Sequence, residues 1–204
     1  MALTRGSLTL RAVLPRDWHA CPVAGSLDSA VEGLRAGDPA AFRAVYEALA
    51  PAVLGYVRTR GSRDPEALTQ EVFLTVFRRA GQLDGGEAGL RTFVFSVAHA
   101  RVVDEFRQRA RRPDTREYTI DEDPRVEPSA EESVQQVLDA DRVMTLLDLL
   151  PDAQRDVISL RVVAGLSLEE TAESIGRSVG AVKQLQRRGL LALRDLTEKG
   201  GVTE

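Results

Sequence analysis

Residue types that build active sites and cross-links are scarce in this chain. It has one cysteine, Cys21, and two histidines, His19 and His99. A single cysteine excludes an intramolecular disulfide, and Cys21 with His19 gives too few ligands for a zinc site. Neither a Walker loop nor a His-Glu-x-x-His motif is present. We therefore expect no metal, no cofactor and no catalytic residues, and we predict that the protein is not an enzyme.

Long apolar runs are also missing. No stretch is long enough to cross a bilayer. The apolar residues near the N-terminus are interrupted by Thr9 and Arg11, so they do not form the apolar core of a secretory signal. Apolar residues at 43% and charged residues at 28% are ordinary for a globular protein. We predict a cytoplasmic protein with no membrane segment of its own.

Acidic residues slightly outnumber basic ones, and the two signs are unevenly distributed along the chain. The formal net charge is −4, and Lys183 and Lys199 are the only lysines. Residues 113–134 hold eight acids and two arginines, whereas residues 177–194 hold five cations and no acid. Because contact with phosphates depends on local charge rather than net charge, the second stretch is compatible with nucleic acid.

The hydrophobic pattern predicts an all-α protein of two small helical domains joined by an acidic linker. Apolar residues recur at three- and four-residue steps, and no segment alternates with period two. Asp38-Pro39 and Asp64-Pro65 have the residues of helix starts. We predict an interruption or kink at Pro51, a loop over 81–89 and a long helix over 91–112. The predicted parts are a disordered extension (1–26), a first domain (27–112), the linker (113–134) and a second domain (135–199).

The second domain contains a predicted helix-turn-helix. Ser167 with Glu170 forms a capping box, Gly176 suits a left-handed helix end, and Ser178 can cap the next helix. The apolar stripe expected to face the core comprises Val179, Val182, Gly189, Leu190 and Leu193. The opposite face comprises Gly180, Lys183, Gln184, Arg187 and Arg188. A cationic, amide-bearing helix face suits the major groove of DNA, although a solvated amphipathic helix has the same periodicity.

Several separated motifs carry a family resemblance over roughly residues 27–197. They are Gly37–Phe42 with Tyr46 and Pro51, Gln70–Phe73, Arg91–Ala98 with Asp104 and Arg107, Leu150–Arg155, Leu166–Ala172 and Gly180–Lys183. In this order they resemble the bacterial RNA polymerase sigma factors of the extracytoplasmic-function (ECF) type, group 4 of the sigma-70 family. The resemblance implies that the first domain is sigma region 2 and the second is sigma region 4.

The resemblance also implies a function in transcription initiation and a set of contact residues. The partners would be core RNA polymerase, promoter DNA and an anti-sigma factor. The −35 element would meet Arg177, Ser178, Gly180, Lys183, Gln184, Arg187 and Arg188. The −10 element would meet Asp84, Gly85, Gly86, Arg91, His99, Arg101 and Arg107. The polymerase would meet Gln70, Glu71 and Phe73.

Two other interpretations fit parts of the sequence. A stand-alone helix-turn-helix regulator would also use the C-terminal helix, but such proteins usually dimerise on palindromic sites. That interpretation leaves Gln70 and Glu71 without a role. A structural or adaptor helical protein would have no DNA contact, so charge reversal at Arg187 would change nothing. Binding tests separate the three interpretations. A sigma factor should bind core polymerase and start transcription from cognate DNA, whereas a stand-alone regulator should bind its site tightly without polymerase.

Overall fold

The computed structural model describes residues 27–111 and 143–200, with side chains as far as residue 198. Both ranges are helical and contain no strand, which confirms the prediction of an all-α fold with two helical domains. The N-terminal extension, the acidic linker and the predicted start of the second domain at 135–142 lie outside the described residues.

The helices follow one another with short connections. The first domain contains α1 (Asp28–Ala36), α2 (Pro39–Thr59), α3 (Pro65–Arg78), a 3₁₀ turn (Ala80–Gln82) and α4 (Glu87–Arg111). The second contains a helical segment at 143–148, α5 (Asp152–Ile158) continuing into a π-helical turn (Ser159–Val163), α6 (Leu168–Ser174) and α7 (Val179–Gly200).

Two predicted helix starts are confirmed. The Asp38 side chain accepts a hydrogen bond from the N–H of Ala40 at 2.9 Å, and Asp64 accepts one from Ala67 at 2.8 Å. A proline follows each cap, at a position where the missing N–H costs nothing. A cap of this kind contributes about 1 kcal/mol.

One of two outcomes predicted at Pro51 is excluded, and one prediction about a helix start was wrong. The helix α2 continues through Pro51 without the interruption that was predicted as an alternative to a kink; Pro51 lies on the exposed side. The helix α4 begins at Glu87 rather than Arg91, which shortens the predicted 81–89 loop. A contact with α1 stabilises this earlier start, because Asp28 accepts from the N–H of Glu87 at 2.8 Å and the Glu87 carboxylate accepts from the N–H of Leu27 at 3.1 Å.

The second domain is held together by a close approach of α5 and α7. Leu147, Leu150, Ile158 and Leu193 form one buried cluster, and Val157, Ala172 and Val182 form another. A Cβ on Gly189 would lie 2.9 Å from Cγ1 of Ile158, so glycine allows the helices to pack at this distance. Leu190 was predicted to face the core, but it is 37% exposed, so this part of the prediction was wrong.

We predict that Gly189→Ala destabilises the protein although alanine favours helices. Overpacking a fixed contact costs roughly 1–3 kcal/mol, more than the gain of up to about 1 kcal/mol in helix propensity. Gly180→Ala in the same helix is the control, since a Cβ there meets nothing within 4 Å. Thermal unfolding should show a lower Tm for the first variant and an unchanged or higher Tm for the second. Equal Tm values would contradict a tight contact at Gly189.

The two domains pack against each other, a feature that the sequence did not predict. The helix α4 lies against α6, and α2 lies against the π-helical turn. Three residues of the second domain, Leu160, Ala164 and Leu166, are buried within the main hydrophobic cluster of the first. In the part of the chain that is described, no helix is long and apolar enough to cross a membrane.

Candidate nucleic-acid interface

The helix-turn-helix forms as its local sequence predicts. Ser167 Oγ accepts from the N–H of Glu170 at 3.1 Å, and the Glu170 carboxylate accepts from the N–H of Ser167 at 2.6 Å. This reciprocal pair is the predicted capping box of α6. Gly176 adopts a φ of 62°, a left-handed conformation that lets the chain turn sharply into α7.

Ser178 caps the second helix of the motif. Its Oγ accepts a hydrogen bond from the N–H of Ala181 at 3.2 Å. Residues 176–180 spell Gly-Arg-Ser-Val-Gly, which also matches the Gly-x-Ser-x-Gly motif of hydrolases. That motif requires a serine on a turn between a strand and a helix. Here a helix precedes the turn, so the serine has a capping role.

The residues predicted to contact the −35 element all lie exposed on one side of the motif. They are Arg177, Ser178, Gly180, Lys183, Gln184, Arg187 and Arg188. The opposite side is buried through Val182, Gly189 and Leu193. Among the residues that the structure describes, no carboxylate forms an ion pair with Lys183, Arg187 or Arg188, whereas Arg194 pairs with Glu198 at 2.8 Å. The three unpaired cations are therefore available to bind phosphates.

The residues predicted to contact the −10 element fall into two groups. Asp84, Gly85 and Gly86 are exposed in the connection before α4. Arg35 of α1 orders this connection by donating to the carbonyl oxygens of Leu83 at 2.9 Å and Gly85 at 2.8 Å. The loop is therefore exposed to solvent, and the Arg35 guanidinium group holds its backbone in place.

The second group lies along α4, and its members differ in accessibility. Arg107 is exposed and lies 3.7 Å from Asp104, while Arg101 donates to the hydroxyl of Thr75 at 2.9 Å. Arg91 donates to the carbonyl oxygens of Ala164 at 3.2 Å and Gly165 at 3.3 Å, and lies 3.5 Å from the Glu170 carboxylate. These three partners belong to the second domain.

His99 also faces the second domain. Its Nδ1 lies 3.0 Å from the hydroxyl of Tyr56 and 3.7 Å from the carboxylate of Asp156 on α5. Burial lowers the pKa of His99, although Asp156 acts in the opposite direction. Burial likewise raises the pKa of Asp156 against the effect of Arg60, whose Nε lies 2.8 Å away. In this arrangement His99 is part of a polar cluster between the domains.

Sequence reasoning missed the residues of that cluster. Tyr56 and Arg60 are almost fully buried, and Tyr56 donates to Asp156 at 3.4 Å. Burial, reinforced by the charge of Asp156, raises the pKa of the Tyr56 hydroxyl well above its usual value. Local sequence gives no sign that Arg60 is buried. Glu170 was recognised only as a cap, since its contact with Arg91 joins residues far apart in the chain.

The predicted polymerase contacts are only partly accessible. Gln70 and Glu71 are exposed on α3. Phe73 is 2% exposed and packs against Tyr46 and Phe77, so its predicted direct contact with a partner is corrected to a core role. Phe73 shares the helical spacing of buried Val72 and Val76, which indicates burial, but the family motif assigned it to a partner. The exposed apolar residues beside Gln70 and Glu71 are Leu74 and Tyr46.

Comparisons with known proteins agree with this geometry. The Sigma-70 region 2 family matches residues 45–112, and the Sigma-70 region 4 family matches residues 146–195. The fold is similar to that of CnrH, solved in complex with the cytosolic domain of CnrY. The TM-score is 0.65 and the identity 21%, with 85% of this chain and 98% of that chain covered.

Curated relatives have a higher sequence identity to this chain than CnrH has. The ECF RNA polymerase sigma factor SigD of Mycobacterium tuberculosis is 36% identical over 179 residues, which cover 83% of this chain and 82% of SigD. The ECF sigma factor ShbA of Streptomyces griseus is 32% identical, covering 90% of this chain and all of ShbA. Sigma factors are initiation factors rather than enzymes. The chain therefore belongs to the ECF RNA polymerase sigma factors of the sigma-70 family.

Proposed function

We propose that this sigma factor binds core RNA polymerase in the cytoplasm and directs initiation at promoters read through α7 and the start of α4. The observation that carries the proposal is the exposed cationic face of α7, which follows a capped turn and has no acidic partner at Lys183, Arg187 or Arg188 within the described residues. A helix of this kind fits the DNA major groove, where base edges and phosphates are both within reach.

The proposed contacts to the −35 element are of two kinds, contacts to base edges and contacts to phosphates. Gln184 has an amide that can bond adenine in a bidentate manner, and Lys183 can reach guanine. Both lie near the N-terminal end of α7, the part of a recognition helix that contacts bases. Arg177, Arg187 and Arg188 are assigned to phosphates, which fix position without reading sequence.

The −10 element is assigned to Asp84, Gly85 and Gly86 together with Arg91, His99, Arg101 and Arg107 of α4. The loop offers backbone groups at a bend ordered by Arg35, and the helix supplies cations. Capturing an unpaired base requires unstacking, which costs a few kcal/mol. Polymerase supplies part of this energy, because it holds both sigma domains on one DNA molecule and thereby raises the effective concentration of each.

The surface of α3 around Gln70 and Glu71 is assigned to core polymerase. It combines an exposed amide and carboxylate with exposed Leu74 and Tyr46. An apolar patch rimmed by polar groups is typical of a protein-binding site. We also propose a protein partner that holds the factor inactive, an anti-sigma factor. The structurally similar CnrH was solved in complex with the cytosolic domain of CnrY, which supports a partner of this kind.

Reconstituted transcription tests the proposal. Core polymerase with the purified protein should initiate from a subset of a promoter library, and core polymerase alone should not. The free protein should bind those promoters weakly. Tight site-specific binding without polymerase, and no transcript with it, would instead favour a stand-alone regulator. Absence of transcripts across the library would reject the proposal.

A further inference from the structure

The connection between the 3₁₀ turn and α4 is tied to α1 at both of its ends. Arg35 donates from Nε to the carbonyl oxygen of Leu83 at 2.9 Å and from Nη2 to that of Gly85 at 2.8 Å. At the far end, the Asp28 carboxylate accepts from the N–H of Glu87 at 2.8 Å. These ties join residues 48 to 59 positions apart in the chain. The shape of the connection therefore depends on a helix that is distant in sequence.

The connection has little means of fixing its own shape. Asp84, Gly85 and Gly86 are exposed, so none of them is anchored in the core. Two adjacent glycines give the backbone many accessible conformations, and Gly85 adopts a φ of 81°, in the left-handed region. Restricting such a segment to one conformation costs entropy, and the hydrogen bonds to α1 offset that cost.

Two glycines allow the connection to lie close to its neighbours. A Cβ on Gly86 would overlap the Asp28 carboxylate, and a Cβ on Gly89 would overlap the carbonyl oxygen of Asp84. The contact is thus built from both sides, because α1 supplies the polar group and the connection has no side chain where that group approaches. The sequences of the two partners match a single arrangement.

Arg35 holds the connection through the planar fork of its guanidinium group. The N–H groups of such a fork have a fixed geometry, so they can bond two carbonyl oxygens at once. The amine of a lysine is a point charge on a flexible stem and does not reproduce this contact. Both acceptors are neutral backbone groups, so the contact fixes geometry rather than neutralising a charge.

We propose that α1 is a positioning element for −10 recognition: Arg35 and Asp28 hold the connection in the shape that captures the unpaired base, without touching DNA themselves. A loop that is held in its bound conformation binds more tightly, because less entropy is lost on binding. This inference rests on the proposed function, because it takes Asp84, Gly85 and Gly86 as part of the −10 surface.

Binding of a single-stranded −10 element by core polymerase carrying this protein tests the inference. The probe is a labelled strand from a promoter that the parent transcribes, together with copies in which one nucleotide at a time lacks its base. The parent should lose most affinity at one position, that of the captured base. If the loop of Arg35→Ala holds the competent shape in about one tenth of the molecules, this variant should bind the intact strand about tenfold more weakly. The strand that lacks the captured base should bind Arg35→Ala and the parent alike, since capture is then absent from both.

Asp28→Ala removes the other tie and should give the same pattern. Loss of a negative charge would by attraction alone strengthen binding to DNA, so weaker binding of this variant is the mark of lost positioning. Arg35→Lys keeps the positive charge without the fork and should recover only part of the lost affinity. Arg43→Ala, the same loss of charge at an exposed position of α2, should bind both strands like the parent.

Several outcomes would overturn the inference. They are parent-like affinity of both Arg35→Ala and Asp28→Ala for the intact strand, an equal fold-loss on the intact and the base-deficient strands, and full recovery by Arg35→Lys. Because the two alanine variants break separate contacts, either one that still competes with the parent for core polymerase carries the test, and loss of core binding by both would make α1 a purely structural element. Failure of the proposed function would appear as absence of transcripts with the parent, so the two failures are distinguishable.

Discussion

Arg187→Glu is expected to abolish promoter-specific transcripts while leaving binding to core polymerase unchanged. Arg187 is exposed on α7 and has no acidic partner among the described residues, so the change does not break an ion pair there. A hydrogen bond to a charged group contributes roughly 1.5–3 kcal/mol, and repulsion from phosphate adds to its loss. Run-off transcription should therefore fall by about a hundredfold or more.

Charge reversal elsewhere on the same helix provides the control for Arg187→Glu. Arg194 is exposed about 10 Å further along α7 and already forms an ion pair with Glu198. Arg194→Glu should have a much smaller effect on transcript yield. Equal losses for both variants, or loss of core binding by Arg187→Glu, would contradict a specific DNA contact at Arg187.

Glu71→Lys is expected to produce the opposite pattern. Glu71 is exposed on α3, beside exposed Leu74, in the surface assigned to polymerase. Opposing like charges across an interface costs several kcal/mol, so affinity for core polymerase should fall by at least tenfold. A competition assay against the unmodified protein measures this loss. Glu32→Lys, the same change at an exposed position of α1, should compete normally.

The DNA-binding surface must remain intact in Glu71→Lys for this interpretation to hold. Weak binding of the free variant to promoter DNA should equal that of the parent, and the thermal melting curves should coincide. Undiminished competition by Glu71→Lys would place the polymerase contact elsewhere. A lowered Tm with loss of both binding activities would indicate a folding defect rather than a contact.

Structural features that depend only on residues close together in the chain were predicted correctly from the sequence. The caps at Asp38 and Asp64 and the Ser167–Glu170 pair each involve groups no more than three residues apart, so residue type and spacing suffice to identify them. The exposed face of α7 followed from periodicity for the same reason. Gly176 adopts the predicted left-handed conformation, because a turn this tight leaves few residues that fit.

Features that depend on distant parts of the chain were missed. The start of α4 depends on Asp28, and the burial of Arg60 depends on Asp156. Neither pairing leaves a periodic signal, since each joins positions that only the completed fold brings together. Phe73 was mispredicted for a different reason. Its match to the family motif was preferred to its helical spacing, although the spacing correctly indicates that it is buried.

The π-helical turn at Ser159–Val163 constrains the length of this part of the chain. Four consecutive residues, Val157–Leu160, are buried, and three of them belong to three different hydrophobic clusters. A π-helical turn is wider than an α-helical one, and removing one residue would convert it to an ordinary turn. That deletion would rotate α5 by about 100° relative to the following loop. Asp156 would then no longer face Arg60, so deleting one uncharged residue of this turn would remove the Arg60–Asp156 ion pair while leaving both charges in the chain.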